Sequence, residues 1–178
     1  TILLMEKKDK EIYKGLSDTD ALTGLFNRRA FQAAVDETLL KRISGVFIFI
    51  DVDNFKDYND KYGHANGDLC LKHFAAAMKK CFPKDSILGR YGGDEFVVYI
   101  KNAASDDAHR YMDEFQREIS HLIMSGGEHV TVSASAGGVA FIGGGEDFVS
   151  LCRSADNMLY DVKRNGKGTF KIKGAKNM

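Results

Sequence analysis

The sequence predicts an α+β fold, an α/β sandwich built on a ferredoxin-like βαββαβ palm with an antiparallel central sheet. Three observations carry this. "VFIFI" at 46–50 is a run of consecutive apolar residues, β-branched and aromatic, the composition of a central strand buried on both faces. "ILGRY" and "FVVYI" flank Gly92-Gly93, the pattern of a hairpin. From 46 onward the periodicities run strand, helix, two hairpin strands, helix, strand, helix, strand. The first six of these are βαββαβ, a sheet expected to carry helices on one face and loops for a site at one end.

Each element has its own signal. Residues 1–16 read as a helix, with Ile2, Met5, Ile12 and Leu16 at heptad spacing and Asp9 as a polar break. Two heptads suit either the stub of a dimerisation stalk or a helix packed on its own domain. The expected division is a stalk stub at 1–16 and a globular domain at 17–178. "SDTDALTGLFNRRAF" (17–31) supplies cap residues for a helix with Phe31, Ala34, Val35, Thr38 and Leu39 on its apolar face. A third helix is expected over about 67–81, carrying Leu71, Phe74, Ala75 and Met78. A fourth follows Ser105, with Ala108, Tyr111, Met112, Phe115, Ile119 and Leu122 on one face. "VTVSASAGGVAF" (130–141) alternates apolar and small residues and reads as one long strand, bent at its glycines. Phe148, Leu151, Cys152, Ala155, Leu159 and Val162 mark a last helix, and "GTFKI" a closing strand.

Composition excludes several function classes. Lys plus Arg and Asp plus Glu number 25 each, so net charge gives no pull toward nucleic acid or membrane, and no nucleic-acid partner is expected. No apolar run approaches the roughly 20 residues that span a bilayer, and no signal peptide is visible. Cys70, Cys81 and Cys152 are odd in number and lack CxxC spacing, which points to a reducing, cytoplasmic compartment and no zinc site. Cys70 and Cys152 fall among apolar helical positions, where a thiol is packing. The first residue is Thr1, and the expectation is a piece of a longer protein with a sensory domain upstream.

The chemistry concentrates in acids at the ends of buried strands. "FIFIDVDNFKDYND" ends a buried strand in Asp51, Val52, Asp53, and "RYGGDEF" places Asp94 and Glu95 at the mouth of another. In a βαββ unit the end of the first strand lies beside the hairpin joining the next two, so Asp51 and Asp94 should converge. Carboxylates held close at the edge of a core are costly unless cations neutralise them. Hard oxygen ligands select Mg²⁺ or Mn²⁺, and two such ions about 3.5–4 Å apart serve in-line attack on phosphorus. Taken singly, Asp51, Asp53 or Asp94 would be read as a cap or turn acid; the conjunction favours metal. Gly92 and Gly93 allow backbone angles closed to other residues and clear space for a docking ligand. "GKGT" at 166–169 is no P-loop, since Asp161 stands where the first glycine is needed. "GGG" at 143–145 reads as a flexible loop.

"GGDEF" at 92–96 is the signature of the GGDEF domains, the diguanylate cyclases. "DALTGLFNRR", "DVDNFKDYNDKYGHANGD", "RYGGDEF", "VSASAGGVA" and "ADNMLYDVKRNGKG" resemble family segments, in the family's order, over about 20–170. The resemblance implies a nucleotide-cyclase-like palm that condenses two GTP into cyclic di-GMP and pyrophosphate. It implies GTP as substrate, two Mg²⁺ or Mn²⁺ per GTP, and an active homodimer of domains, weak in this chain because little stalk remains. The rival implication is a silent domain acting as a GTP or cyclic-dinucleotide receptor.

By the same resemblance, Asp51 and Asp94 match the metal-binding and catalytic carboxylates, and Val52 the residue offering a carbonyl to metal. Glu95 matches an acid that helps deprotonate the attacking 3′-hydroxyl. Asn54 and Phe55, with Lys56 beside them, match the loop approaching the phosphates, and Gly92 and Gly93 of the hairpin count with the substrate-binding residues. Asn59 and Asp68 match guanine readers, and a carboxylate suits guanine N1–H and its 2-amino group. Lys163 matches a triphosphate-binding lysine. Lys167, on the same side if the last helix persists, stands where the family usually has Arg and loses the bidentate fork. Many members carry Arg-x-x-Asp ahead of the signature as a product-binding inhibitory site. Here "PKDS" puts Pro83 and Ser86 at those positions, so no allosteric product site is expected. The same pattern at Arg110–Asp113 and Arg153–Asp156 lies elsewhere in the chain. Cyclic di-GMP should therefore not inhibit turnover non-competitively; initial rates against GTP at fixed product would show a non-competitive pattern if a secondary site exists.

Overall fold

The computed structural model describes residues 18–175. The helix expected over 1–16 lies outside them. In chain order the elements are α1 (Arg28–Leu40), β1 (Gly45–Val52), α2 (Phe55–Tyr62), α3 (His64–Cys81), β2 (Ile87–Arg90), β3 (Glu95–Lys101), α4 (Ser105–Ile119), β4 (Leu122–Ile123), β5 (His129–Val130), β6 (Ala134–Phe141), α5 (Phe148–Arg164) and β7 (Phe170–Lys173). Five strands form the main sheet in the order β2-β3-β1-β6-β7, and β4 and β5 pair separately.

The run 46–50 lies at the centre of the sheet, as its composition predicts. β1 pairs antiparallel with β3 on one side and β6 on the other. Side chains alternate across a strand. Val46, Ile48, Ile50 and Val52 therefore join Phe74, Met78, Met112 and Phe115 of α3 and α4 in one core. Phe47 and Phe49 join Phe31 and Val35 of α1 with Phe148, Leu151, Ala155 and Leu159 of α5 in a second. Phe47 meets Phe31 and Phe148 edge-on at 6.0 and 5.8 Å between centroids, the geometry that aromatic quadrupoles favour. Helices thus cover both faces, not the single face that βαββαβ implies. Elements outside that core, α1 before β1 and α5 after β6, supply the second layer.

Other boundaries shift for local reasons. The helix expected over 67–81 begins at His64, after a separate helix α2; Gly63, at φ 82°, separates them. The expected strand 130–141 is divided. Asp53 N–H donates to Ser133 O at 2.9 Å, taking that carbonyl out of a continuous ladder, so β6 starts at Ala134 and His129–Val130 pairs with β4. Leu122 accordingly lies in β4 rather than on the α4 face. Gly137 and Gly138 sit inside β6 without breaking it. The closing strand forms and lies parallel to β6. On the opposite edge Phe26 exchanges backbone bonds with Leu88 and Arg90 at 3.1 and 2.8 Å, so chain from before α1 covers β2.

Asn27 caps α1 by accepting from Ala30 N–H at 2.9 Å, and Asp147 caps α5 by accepting from Ser150 N–H at 2.7 Å. Cys70 and Cys81 are buried and Cys152 half-buried, all free thiols. Among the described residues no helix is long and apolar enough to cross a membrane.

The closest approach in the second core is at Gly137. A Cβ there would stand 2.1 Å from Leu159 N and 2.3 Å from Ala155 O, against backbone that cannot yield without moving α5. Gly137→Ala should cost about 3 kcal/mol or more of stability, at the upper end of overpacking. Urea unfolding checks this, and a loss under about 1 kcal/mol would mean that α5 floats on the sheet rather than resting on it.

Candidate active site

The antiparallel register sets the site. Asp51 stands opposite Glu95 of β3 and opposite Ser135 of β6. Residues directly opposite share a face, so the three form a row on the α5 side of the sheet, one pleat beyond Phe49. Val52 N–H donates to Asp94 O at 3.1 Å, which ties the end of β1 to the signature turn. Asp51 and Asp94 are brought together as the sequence predicts.

The row is electrostatically loaded. The side chain of Asp51 is only 14% exposed, and Lys163 Nζ lies 3.0 Å from its Oδ2. Burial raises the pKa of Asp51 above the usual carboxylate value; Lys163 opposes this, while Asp94 and Asp53 add to it. Glu95 is exposed as a residue, yet partial desolvation of its carboxyl raises its pKa in the same direction, reinforced by Asp51 and Asp94. Negative charge gathered in this way, at Asp51 and Glu95, is the condition in which a divalent cation is welcome. Asp51, Asp94 and the Val52 carbonyl fit a hard cation by donor type. Among the described residues no cluster of three or more His, Cys, Asp or Glu takes metal-ligand spacing. The set read from the sequence is two carboxylates and a carbonyl, fewer protein ligands than a closed cage.

The turn after β1 forms a second region. Asn54 has φ 54°, the left-handed conformation that Asn tolerates, and opens α2. The first amides of a helix have no acceptor within it and face outward as an anion site; here they belong to Phe55 and Lys56. Phe55 stacks on Tyr58 at 6° between planes, and Lys56 is exposed. Lys167 Nζ donates to Asn54 Oδ1 at 2.9 Å. The helix does not persist to Lys167, because α5 ends at Arg164 and Asn165 N–H folds back onto Asp161 and Val162. Lys167 reaches the turn from a loop. Lys163, expected on phosphates, lies on Asp51.

Asn59 and Asp68 occupy the α2–α3 junction. Asn59 sits five residues along α2 from Asn54, about 7.5 Å by helical rise. Asn59 Oδ1 is buried with no protein donor, and a Cβ on Gly67 would stand 1.8 Å from it. Gly67 thus makes room for an acceptor that still needs a donor, and exposed Asp68 follows it.

Gly92 and Gly93 need no special backbone angles, contrary to the expectation from sequence: neither is among the residues with positive φ. Their value is space. A Cβ on Gly92 would stand 2.6 Å from Glu95 Oε2, and one on Gly93 would enter the open. Beside them, Phe49, Tyr91, Glu95, Cys152 and Arg153 line a hollow of about 270 Å³.

Sequence reasoning overlooked the polar ties that hold this geometry. Arg90 donates to Asp20 Oδ1 and Oδ2 at 3.1 and 3.2 Å and to Gly93 O at 2.7 Å, bracing the signature turn. Burial works against the charge of Asp20, but bonds from Thr23 and Arg90 outweigh it and lower its pKa. Asp53 accepts from Ser133 Oγ at 2.7 Å and Ser135 Oγ at 2.6 Å. The "D-x-x-T" of 20–23 was a legible turn signal; Ser133 and Ser135 gave none.

A family model described as "Diguanylate cyclase, GGDEF domain" matches residues 17–169. The chain is 32% identical over 173 residues to the cyclic di-GMP phosphodiesterase PdeR of Escherichia coli, covering 96% of this chain and 26% of that protein. It is 33% identical over 167 residues to the response regulator PleD of Caulobacter vibrioides, covering 90% and 37% respectively. The solved coiled coil and GGDEF domain of DgcB from Caulobacter crescentus, in complex with c-di-GMP, matches with a TM-score of 0.87 at 26% identity, over 96% of this chain and 93% of that one. The chain spans about a quarter to a half of the length of such curated relatives.

The loaded row has a signature in stability. An acid with a raised folded-state pKa binds more protons folded than unfolded, so its contribution is lost as pH rises through and above its ordinary value, 3.8 for Asp51. In EDTA at pH 7, Asp51→Asn should therefore melt a few degrees higher than the parent, with the gap closing toward pH 4. Lys163 is half-exposed and loses little when its partner goes. Thermal melts across pH check this; an Asn variant that melts lower at pH 7 would show that the ion pair outweighs the burial of the charge.

Proposed function

Because the chain belongs to the GGDEF family, we propose that it is a diguanylate cyclase catalytic domain, joining two GTP into cyclic di-GMP with loss of two pyrophosphates. The observation that carries this reading is the row of Asp51 opposite Glu95, with Asp94 tied to it through Val52 and Lys163 at 3.0 Å. The raised proton affinities of Asp51 and Glu95 support a part for these acids in chemistry.

Asp51, Asp94 and the Val52 carbonyl would hold two Mg²⁺ or Mn²⁺ per GTP. When bound, these ions supply positive charge against the α-phosphate and the departing pyrophosphate. The remaining roles belong to the chain. Amides of Asn54 and Phe55, with Lys56, receive phosphate oxygens at the start of α2. Lys163 and Lys167 neutralise the triphosphate. Asn59 Oδ1 and the Asp68 carboxylate accept from guanine N1–H and its 2-amino group, leaving adenine without matching donors. Glu95, with its raised proton affinity, accepts the proton of an attacking 3′-hydroxyl. The 3′-oxygen of one GTP bonds to the α-phosphorus of the other, and the bond from that phosphorus to pyrophosphate breaks. The same exchange in the opposite sense closes the ring.

One domain holds one GTP, so the productive species is a homodimer, with residues 1–16 as the stub of a stalk. The domain would work in the cytoplasm as the output of a longer protein with a sensory segment upstream. A silent receptor of GTP or cyclic dinucleotide is the alternative, and the relative named a cyclic di-GMP phosphodiesterase favours it.

Incubation with GTP and Mg²⁺ should yield cyclic di-GMP, with GTP preferred over ATP by about a hundredfold or more. Asp94→Ala should abolish product while the protein still melts cooperatively. Specific activity should rise with protein concentration, because two heptads give weak association. Nucleotide binding without product would establish the receptor instead. Activity that stays flat over a hundredfold dilution of a protein shown monomeric by sedimentation would overturn the shared site.

A further inference from the structure

The turn between α5 and β7 has no regular structure to hold it. Gly166, Lys167 and Gly168 have φ of 122°, 61° and 65°, three successive residues in left-handed space. For lysine that conformation costs on the order of 1–2 kcal/mol, so neighbours must enforce it. Lys167 N–H reaches back to Val162 O at 3.2 Å. The forward tie is to a side chain: Gly168 N–H donates to Asp53 Oδ2 at 3.0 Å and to Ser135 Oγ at 3.2 Å. Asp53 is fixed in turn by the hydroxyls of Ser133 and Ser135 and by its own N–H on Ser133 O. Its Oδ2 is engaged by two donors and its Oδ1 by one. Asp51, two residues earlier, faces the acid row and Lys163 instead.

We propose that Asp53 is a positioning residue for phosphate binding: by clamping Gly168 it holds the preceding Lys167 over the turn at Asn54. This rests on the reading of Asn54 and Lys167 as triphosphate contacts. Asp53 touches no substrate. It acts through the backbone of Gly168, which lies between the end of β1 and the start of β7. The clamp also compensates a shorter list of donors. An arginine could span a phosphate with a fork from an imperfect position, whereas an ammonium is a point charge whose effect depends on where its carbon chain starts.

The test uses 3′-deoxy-GTP, which lacks the attacking hydroxyl, and 3′-deoxy-GMP, which lacks the outer phosphates. Both are titrated calorimetrically in Mg²⁺ into the parent, Asp53→Ala, Lys167→Ala and the double variant. Each single change should weaken the triphosphate about tenfold, the range of one charge-assisted contact, and the double change no more than either. Monophosphate affinity should not move. Asp53→Asn keeps an acceptor for Gly168 N–H and should stay within about threefold of the parent. Ser135→Ala, a milder loosening of the clamp, covers the case in which Asp53→Ala does not fold; it should lower triphosphate affinity alone. Additive losses, about a hundredfold in the double variant, would overturn the inference, as would equal losses for both nucleotides. A parent protein that binds neither nucleotide would overturn the functional reading itself.

Discussion

β1 is paired on both edges and covered on both faces, and this confinement governs everything at its end. Val46 to Ile50 are enclosed by α3 and α4 on one side and by α1 and α5 on the other. The first polar side chain the strand can present is Asp51, where the helices no longer shield it fully. A carboxylate there cannot avoid partial burial or relocate, because slipping the register by one residue would turn Phe47 and Phe49 into the wrong core. Rigidity of this kind is what a site needs if charges are to be held where solvent would otherwise scatter them.

Much of this was legible beforehand, and the reasons differ by element. The all-apolar run at 46–50 marks double-sided burial without ambiguity, and so contradicts a sheet covered on one face. Taken at its word, "VFIFI" required the second helical layer that α1 and α5 form. The convergence of Asp51 with Asp94 follows from hairpin topology alone. The division of 130–141 does not, because it depends on Ser133 O being claimed by Asp53 N–H eighty residues away in sequence. Nor does the position of Lys167, since a helix pattern ending in "KRNGKG" is silent about three left-handed residues. Long-range ties between polar side chains and backbone leave no periodic trace.

The polar ties share one design. Asp20 with Arg90, and Asp53 with Ser133 and Ser135, are acid knots held by several donors each, while Asp51 and Glu95 beside them carry charge that burial opposes. Only a lysine answers Asp51, and it is half-exposed. Fully bonded acids give shape, and acids whose charge is opposed by burial are where a cation can be taken up. The same residue type serves both ends here, and only the count of donors around it tells them apart.

The parallel pairing of β7 with β6 divides the molecule into two ends of unequal tolerance. A parallel neighbour requires the chain to travel back the full length of the sheet, and α5 does so, so Lys163, Lys167 and the start of β7 arrive together at the acid end. The crossings at the opposite end, 102–104 and 142–147, lie away from the acid row. Gly144 and Gly145 there are exposed, and a Cβ on either would meet at most the far end of Arg42, an open and glycine-rich bend. A reporter domain spliced between them would ride on the scaffold with a sheet's length between it and the acid row.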